Sequence, residues 1–313
     1  MNFSGYVHTP VLLDEVLRGL NIRPDGCYVD CTFGRGGHSK AILQCLNEQG
    51  RLFAIDKDPE AIYGVDKELS TDKRFSLLHG SFTMLEEVVE KNIMMRHVDG
   101  ILFDLGVSSP QLDDAVRGFS FMNDGLLDMR MDNSTGITAA EWLMNANEAE
   151  IINVLQDFGE ERFARRIAKA IVNYRVENDI QRTHQLADLI TAAVPVRERD
   201  KHPATRTFQA IRIYINRELD EIRNALEQTV KVLANKGRLV VISFHSLEDR
   251  IVKRFMRKKA RGDDYPQDLP VLHTLLKPEL KIIGKAIYPG DAEIKRNPRS
   301  RSAVLRIAER STA

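Results

Sequence analysis

Cysteine is scarce: Cys27, Cys31 and Cys45 are the only three in 313 residues. An odd count without a framework excludes a disulfide scaffold and fits a reducing compartment. No His/Cys/Asp cluster has metal-ligand spacing, so no metal is expected, and no Ser-His-Asp arrangement is suggested. No segment approaches the roughly 18 apolar residues of a membrane span. The N-terminus lacks a signal peptide's apolar core. A cytoplasmic chain with no membrane partner is therefore expected. Net charge is also missing. Lys+Arg and Asp+Glu are both 45, so the overall balance selects no partner.

The charge is nevertheless unevenly placed. "RIVKRFMRKKAR" (250–261) carries seven basic residues and no acidic one. Lys295, Arg296, Arg299, Arg301 and Arg306 form a second basic group. Such segments point to an anionic partner such as RNA. The remaining composition, 43% apolar and 29% charged, is that of a soluble globular protein. It is long enough for one large domain or two modest ones.

Along the chain, "CYVDCT" reads as a strand, followed by a glycine loop and a helix over about 38–46. "RLFAID" (51–56), "FSLLHGSF" (75–82) and "GILFDLG" (100–106) are further strands, with a helix starting at Asp58-Pro59. Strands alternating with helices predict a parallel sheet with right-handed crossovers. From about Asp113 to Arg206 no strand is predicted. Thr138 and Glu141 form a capping box that opens a helix through about Phe158. Two more helices follow, over 160–174 and 183–195. Phe208, Ile211, Ile215, Leu219, Ile222, Leu226, Val230 and Leu233 then predict one long amphipathic helix closed by Gly237. "RLVVISFHS" and "SAVLRIAE" complete the strands, with a helix over 247–261 between them. The expected domains are 1–112 with 207–313, and an inserted helical domain over 113–206.

The loop "DCTFGRGGHS" (30–39) sits where a nucleotide-binding fold needs it, between the first strand and the first helix. Asp56 ends the second strand, the place for a carboxylate that accepts from ribose hydroxyls. A dinucleotide fingerprint would need a third glycine where this chain has Ser39, and Asp30 would repel a pyrophosphate. Acidic strand ends at Asp30, Asp56 and Asp104 instead suit a cationic ligand such as S-adenosylmethionine. A turn that binds nothing stays the alternative. At the fourth strand end, Asp104 and the turn Ser108-Ser109-Pro110 would face the reactive part of the ligand. Asp104, Ser109 and Pro110 are the candidate catalytic residues. Hydrogen-bond acceptors there would localise the lone pair of an exocyclic amine such as cytosine N4, and alignment would supply most of the remaining rate.

The stretches "HTPVLLDEVL", "DCTFGRGGHS", "GILFDLGVSSPQLDDAVRGFSFMNDGLLDMRMD", "HPATRTFQAIRIYINREL", "SFHSLEDRIVKRFM" and "NPRSRSAVLRIAER" span the chain in order. With them the sequence resembles the bacterial 16S ribosomal RNA (cytosine-N4) methyltransferases. The resemblance implies an α/β, class I (Rossmann-like) methyltransferase fold, with a mostly parallel sheet and a helical insertion that faces substrate. It implies S-adenosyl-L-methionine as cofactor and 16S rRNA of the small ribosomal subunit as partner. It places Gly36, Gly37, His38, Asp56, Phe82, Asp104 and Gln111 at the cofactor. Ser-Ser-Pro-Gln departs from the Ser-Pro-Pro-aromatic motif of DNA amino-methyltransferases. A stacking ring would then come from Phe119, Phe121 or Phe244.

An N4 acceptor requires an unstacked cytosine. Phe121, Arg206, Arg212 and His245 are the candidate RNA-binding residues, with Arg217 near them. Methylation at the ring carbon C5 would call for a cysteine nucleophile, and none of the three cysteines follows the fourth strand. A non-catalytic ribosome assembly factor that keeps the fold, a DNA amino-methyltransferase and a dehydrogenase remain alternatives. A homodimer stays open.

Overall fold

The structure is a computed structural model and describes residues 10–93, 97–196, 202–262 and 276–312. His8 and Thr9 of the first matching stretch lie outside the described residues. In chain order the elements are α1 (Leu13–Leu20), β1 (Cys27–Asp30), α2 (Gly37–Cys45), β2 (Arg51–Asp56), α3 (Pro59–Tyr63), α4 (Lys67–Ser70), β3 (Phe75–His79), α5 (Leu85–Asn92) and β4 (Val98–Asp104). Helices α6 (Ser109–Asp113), α7 (Ala139–Asn145), α8 (Glu148–Gly159), α9 (Ala164–Tyr174), α10 (Thr183–Ala193), α11 (Thr205–Asn216) and α12 (Glu218–Val232) follow. The chain ends with β5 (Leu233–Ser243), α13 (Ser246–Arg261), β6 (Leu280–Ile282), α14 (Asp291–Arg296) and β7 (Val304–Arg310). It divides into two compact units, Met1–Gly106 with Leu219–Ala313, and Val107–Glu218.

The first unit is built on a seven-stranded sheet in the order β3-β2-β1-β4-β5-β7-β6. β3, β2, β1, β4 and β5 pair in parallel, while β7 runs antiparallel between β5 and β6. β4 is buried at five of its seven positions, as expected for a strand covered on both faces. Val16 and Leu20 of α1 and Ile42 of α2 pack with Leu52, Leu102, Val240 and Leu305 of the sheet. β1 lies between β2 and β4, so the strand order reverses there. That reversal opens a crevice at the carboxyl ends of β1 and β4.

The second unit has its own core, in which Trp142, Leu143, Ile151, Leu155, Ile167 and Ile211 are buried together. Its long connection before α7 is part of that core, since Leu127, Met129 and Met131 are buried. Asn216 holds it in place. Its Oδ1 accepts from the Met131 amide (2.7 Å), and its Nδ2 donates to the Met129 carbonyl (2.7 Å).

Two helices expected from the sequence are each split. The Thr138 box forms, with Glu141 N–H donating to Thr138 Oγ1 (3.1 Å) and Thr138 N–H to Glu141 Oε2 (2.7 Å). But α7 stops at Asn145, and Asn147 caps α8 by accepting from the Glu150 amide (2.9 Å). The predicted 208–233 helix is broken at Arg217, which takes a left-handed φ of 51°. The apolar positions keep their three-and-four spacing through the break, so periodicity does not register it. Gly237 does not close a helix but lies within β5.

Candidate functional site

Three strands of the first unit end in a carboxylate: Asp30 on β1, Asp56 on β2 and Asp104 on β4. The residues just before each acid are apolar: Tyr28 and Val29, Phe53 to Ile55, and Ile101 to Phe103. The acids are therefore carried to the carboxyl edge on rigid elements and partly removed from water.

Asp30 is fully buried. Ser39 Oγ donates to its Oδ2 (2.7 Å), and the Thr32 amide donates to its Oδ1 (3.1 Å). Ser39, the residue that breaks the dinucleotide fingerprint, is thus the partner of a buried acid. Burial still holds the Asp30 carboxyl above its ordinary range, against those hydrogen bonds. Thr32 also ties two strand ends together, because its Oγ1 accepts from the Asp104 amide (2.6 Å).

Asp56 shapes the glycine loop. Its Oδ2 accepts from the Gly34 amide (2.7 Å) and its Oδ1 from the Asp58 amide (2.8 Å). Burial pushes its pKa up to about 6, with the two amides working against that rise. Gly36 and Gly37 are required by packing. Gly36 has φ +74°, and a Cβ there would stand 2.7 Å from the Phe33 ring and 2.8 Å from Leu69. A Cβ on Gly37 would stand 2.5 Å from Pro10.

His38, the second residue of α2, is buried. Its Nε2 lies 3.0 Å from the Val11 carbonyl, which can only accept, so Nε2 carries a hydrogen. Its Nδ1 faces Asp104 Oδ2 at 3.6 Å. Burial raises Asp104 to about 6, opposed by His38 and reinforced by Asp30 and Glu248. Asp104 Oδ1 is buried with no hydrogen-bond partner, and so is Ser243 Oγ. Asp104 pairs with Ile242 across β4 and β5, so the two unpartnered oxygens stand at adjacent strand ends. Buried oxygens of this kind call for a donor or a cation from a ligand. A cationic ligand with hydroxyl groups fits this set, and a pyrophosphate does not.

Phe82 opens a 3-10 turn after β3 and stands edge-on to Phe103, with ring centroids 5.6 Å apart. Beyond β5, His245 caps α13, and Glu248 is wholly buried. Glu248 Oε2 accepts from the Phe244 amide (2.7 Å). The first unit therefore gathers Gly36, Gly37, His38, Asp56, Phe82, Asp104 and His245. Ser109, Pro110, Gln111, Phe121, Arg206 and Arg212 belong to the second unit.

In the second unit, Ser109 and Pro110 begin α6. Gln111 is buried and completes a capping box, its Oε1 accepting from the Ser108 amide (2.8 Å). Phe121 stacks on His202 with centroids 4.5 Å apart and meets Phe208 edge-on at 4.9 Å. Arg206 is half-buried, its Nη1 3.5 Å from the Glu160 carbonyl. Arg212 forms a bidentate pair with the buried Glu218, both contacts at 2.9 Å.

Sequence reasoning missed Thr32, Ser243 and Glu248. The spacing Ser108-x-x-Gln111 was a readable signal for its capping box. Nothing in the local pattern marks Ser243, which matters only because of its neighbour across the sheet. Two of the three thiols are held protonated: burial, with Asp99 adding to it, pushes Cys27 up to about 12, and burial raises Cys31 well above its ordinary value.

A family model described as the MraW methylase family matches residues 5–311. Among solved structures, an rRNA methylase from Streptococcus thermophilus is 11% identical, covering 96% of this chain and 94% of that one, with a TM-score of 0.42. A Streptococcus mutans protein described as a methyltransferase in complex with SAH is 11% identical over 97% of this chain and 99% of that one, with a TM-score of 0.43. The N-methyltransferase NodS from Bradyrhizobium japonicum is 10% identical over 96% and 94%, with a TM-score of 0.40.

Proposed function

The chain belongs to the MraW methylase family, and from that premise we propose that it methylates the exocyclic N4 of a cytidine in 16S rRNA of the small ribosomal subunit. The fold is a class I, Rossmann-like methyltransferase, and S-adenosylmethionine is the methyl donor. The observation that carries the reading is the acidic carboxyl edge, above all the buried and unpartnered Asp104 Oδ1. No helix among the described residues is long and apolar enough to cross a membrane.

When bound, the donor supplies a methyl group activated by a neighbouring sulfonium. The chain's own residues bind and align. Asp56 accepts from the ribose hydroxyls with lone pairs left over by the Gly34 and Asp58 amides. The Gly36–His38 turn and Phe82 flank the nucleoside, and Gln111 contributes a further contact. Asp104 compensates the donor's positive charge. Ser109 and Pro110, with Asp104, orient the acceptor amine, whose proton leaves after transfer. Phe121 and Arg206 contact the RNA, with His245 at the end of β5. Arg212, the other arginine candidate on α11, is engaged by Glu218.

The chemistry favours N4 over C5. A ring-carbon acceptor needs a thiolate nucleophile, and burial keeps Cys27 and Cys31 protonated. The test is nucleoside mass spectrometry of small-subunit rRNA incubated with the protein and labelled S-adenosylmethionine. Label is expected in N4-methylcytidine. Label in 5-methylcytidine, or only in added DNA, overturns the proposal.

A further inference from the structure

Helix α13 leaves the carboxyl edge directly after β5 and runs for 16 residues, about 24 Å at 1.5 Å per residue. Its two faces differ completely. Val252, Phe255 and Met256 are buried against the first unit. Arg250, Arg254, Arg257, Lys258 and Arg261 are all exposed. At 100° per residue these five fall within an arc of roughly 100° on the outer side. Three nearby carboxylates pair with cations outside this arc. Asp249 forms a bidentate pair with Arg306 (2.6 and 2.9 Å), and Glu227 and Glu279 both meet Lys259 (3.0 and 2.9 Å).

We propose that this outer face of α13 is a phosphate-binding rail for the RNA strand that flanks the methylated nucleotide. The inference rests on the RNA acceptor proposed above and adds where the flanking strand lies. Successive cations three or four residues apart rise by about 5–6 Å along the axis, a step suited to consecutive phosphates of one strand. The first turn is acidic and the rest basic, with Glu248 and Asp249 preceding the run of cations. The rail therefore begins one turn away from the reaction edge and leads outward. An anionic membrane is a poorer fit, because the apolar residues of the helix are spent on the core. The exposed side chains on the outer arc are all cationic, so nothing there would insert among acyl chains.

The experiment compares the full-length protein with a triple variant, Arg254→Ala, Arg257→Ala and Arg261→Ala, using a 16S rRNA transcript as probe. All three side chains are exposed, and S-adenosylmethionine affinity by calorimetry serves as the folding check and should not move. Binding to the transcript should weaken by about tenfold or more at moderate salt. The slope of log K against log salt should fall by about 2, since each single-strand phosphate contact contributes roughly 0.7. The matching Lys triple should keep the wild-type slope. If the wild type binds the transcript and the Ala triple binds it equally well with the same slope, the rail is refuted while the methyltransferase reading stands. A wild type that binds no RNA at all removes the acceptor proposal and the rail with it. Loss of binding to anionic vesicles with unchanged RNA binding assigns the face to lipid and also refutes the rail.

Discussion

The two units differ in how far they satisfy their buried polar groups. In the second, most are closed on themselves: Asn216 bonds both sides of a loop, Arg212 grips Glu218, and Thr183 Oγ1 accepts from the Gly125 amide (3.0 Å), with Thr207 Oγ1 the exception among the described residues. In the first, the strand ends collect acids that burial holds partly protonated, and Asp104 Oδ1 and Ser243 Oγ are left open. Full satisfaction specifies a shape, whereas buried atoms left short of a partner specify a ligand. The methyl donor is therefore expected to depend on the first unit's acids. Stability is expected to depend on the second unit's pairs.

The sharpest way to break this contrast is Arg212→Ala. It leaves Glu218 buried without its cation, and unfolding free energy should drop by about 3 kcal/mol, read by denaturant titration. S-adenosylmethionine affinity should hardly change. A variant of normal stability that binds RNA poorly would return Arg212 to the RNA-facing role expected from sequence.

Asp104→Asn should have the reverse signature. Donor affinity should fall by about tenfold to a hundredfold, in line with 1.5–3 kcal/mol for a hydrogen bond to a charged group. The ligand-free protein should meanwhile gain stability at neutral pH, on the order of 1 kcal/mol. The sign follows from the raised pKa. Asp104 titrates near 6 when folded and near 4 when unfolded. Between those values the folded state binds more protons, so stability falls as pH rises, and the cost is complete above about 6. Asn removes that cost. Loss of stability at pH 7 would instead make Asp104 a structural acid.

A smaller effect sharpens the same point. Asp56 and Asp104 both titrate near 6, and each must be ionised to hold a cationic donor with hydroxyls. Calorimetric affinity for S-adenosylmethionine should rise by about tenfold for each of the two acids between pH 5 and pH 7 and then level off. A flat profile would show that neither acid changes charge on binding.

The sequence made the alternating strands legible because each carries a short apolar run, and it made Asp30, Asp56 and Asp104 legible because they close three of those runs. It concealed the break at Arg217, since no glycine or proline marks a left-handed residue there and the apolar phase continues across it. The readable clue was Asn216, a polar side chain in the middle of an apolar helix pattern, which turned out to be buried and fully bonded. Ser39 was legible only as a missing glycine. Its bond to Asp30 requires the turn to bring the tenth residue of the stretch back onto the strand end. The capping box of His245 and Glu248 has the same readable spacing as that of Ser108 and Gln111, whereas the place of Ser243 Oγ beside Asp104 depends on pairing between strands, and no local spacing encodes it.

The bonds that Asp56 makes to the Gly34 and Asp58 amides carry a consequence for how binding is driven. They fix the glycine loop before any ligand arrives, so little conformational entropy remains to be lost on association. Donor binding should then be fast and show no slow ordering phase. The Gly34 and Asp58 amides should resist hydrogen exchange in the ligand-free protein as firmly as the strands beside them. The loop acts as a rigid mould, and what the ligand contributes is charge.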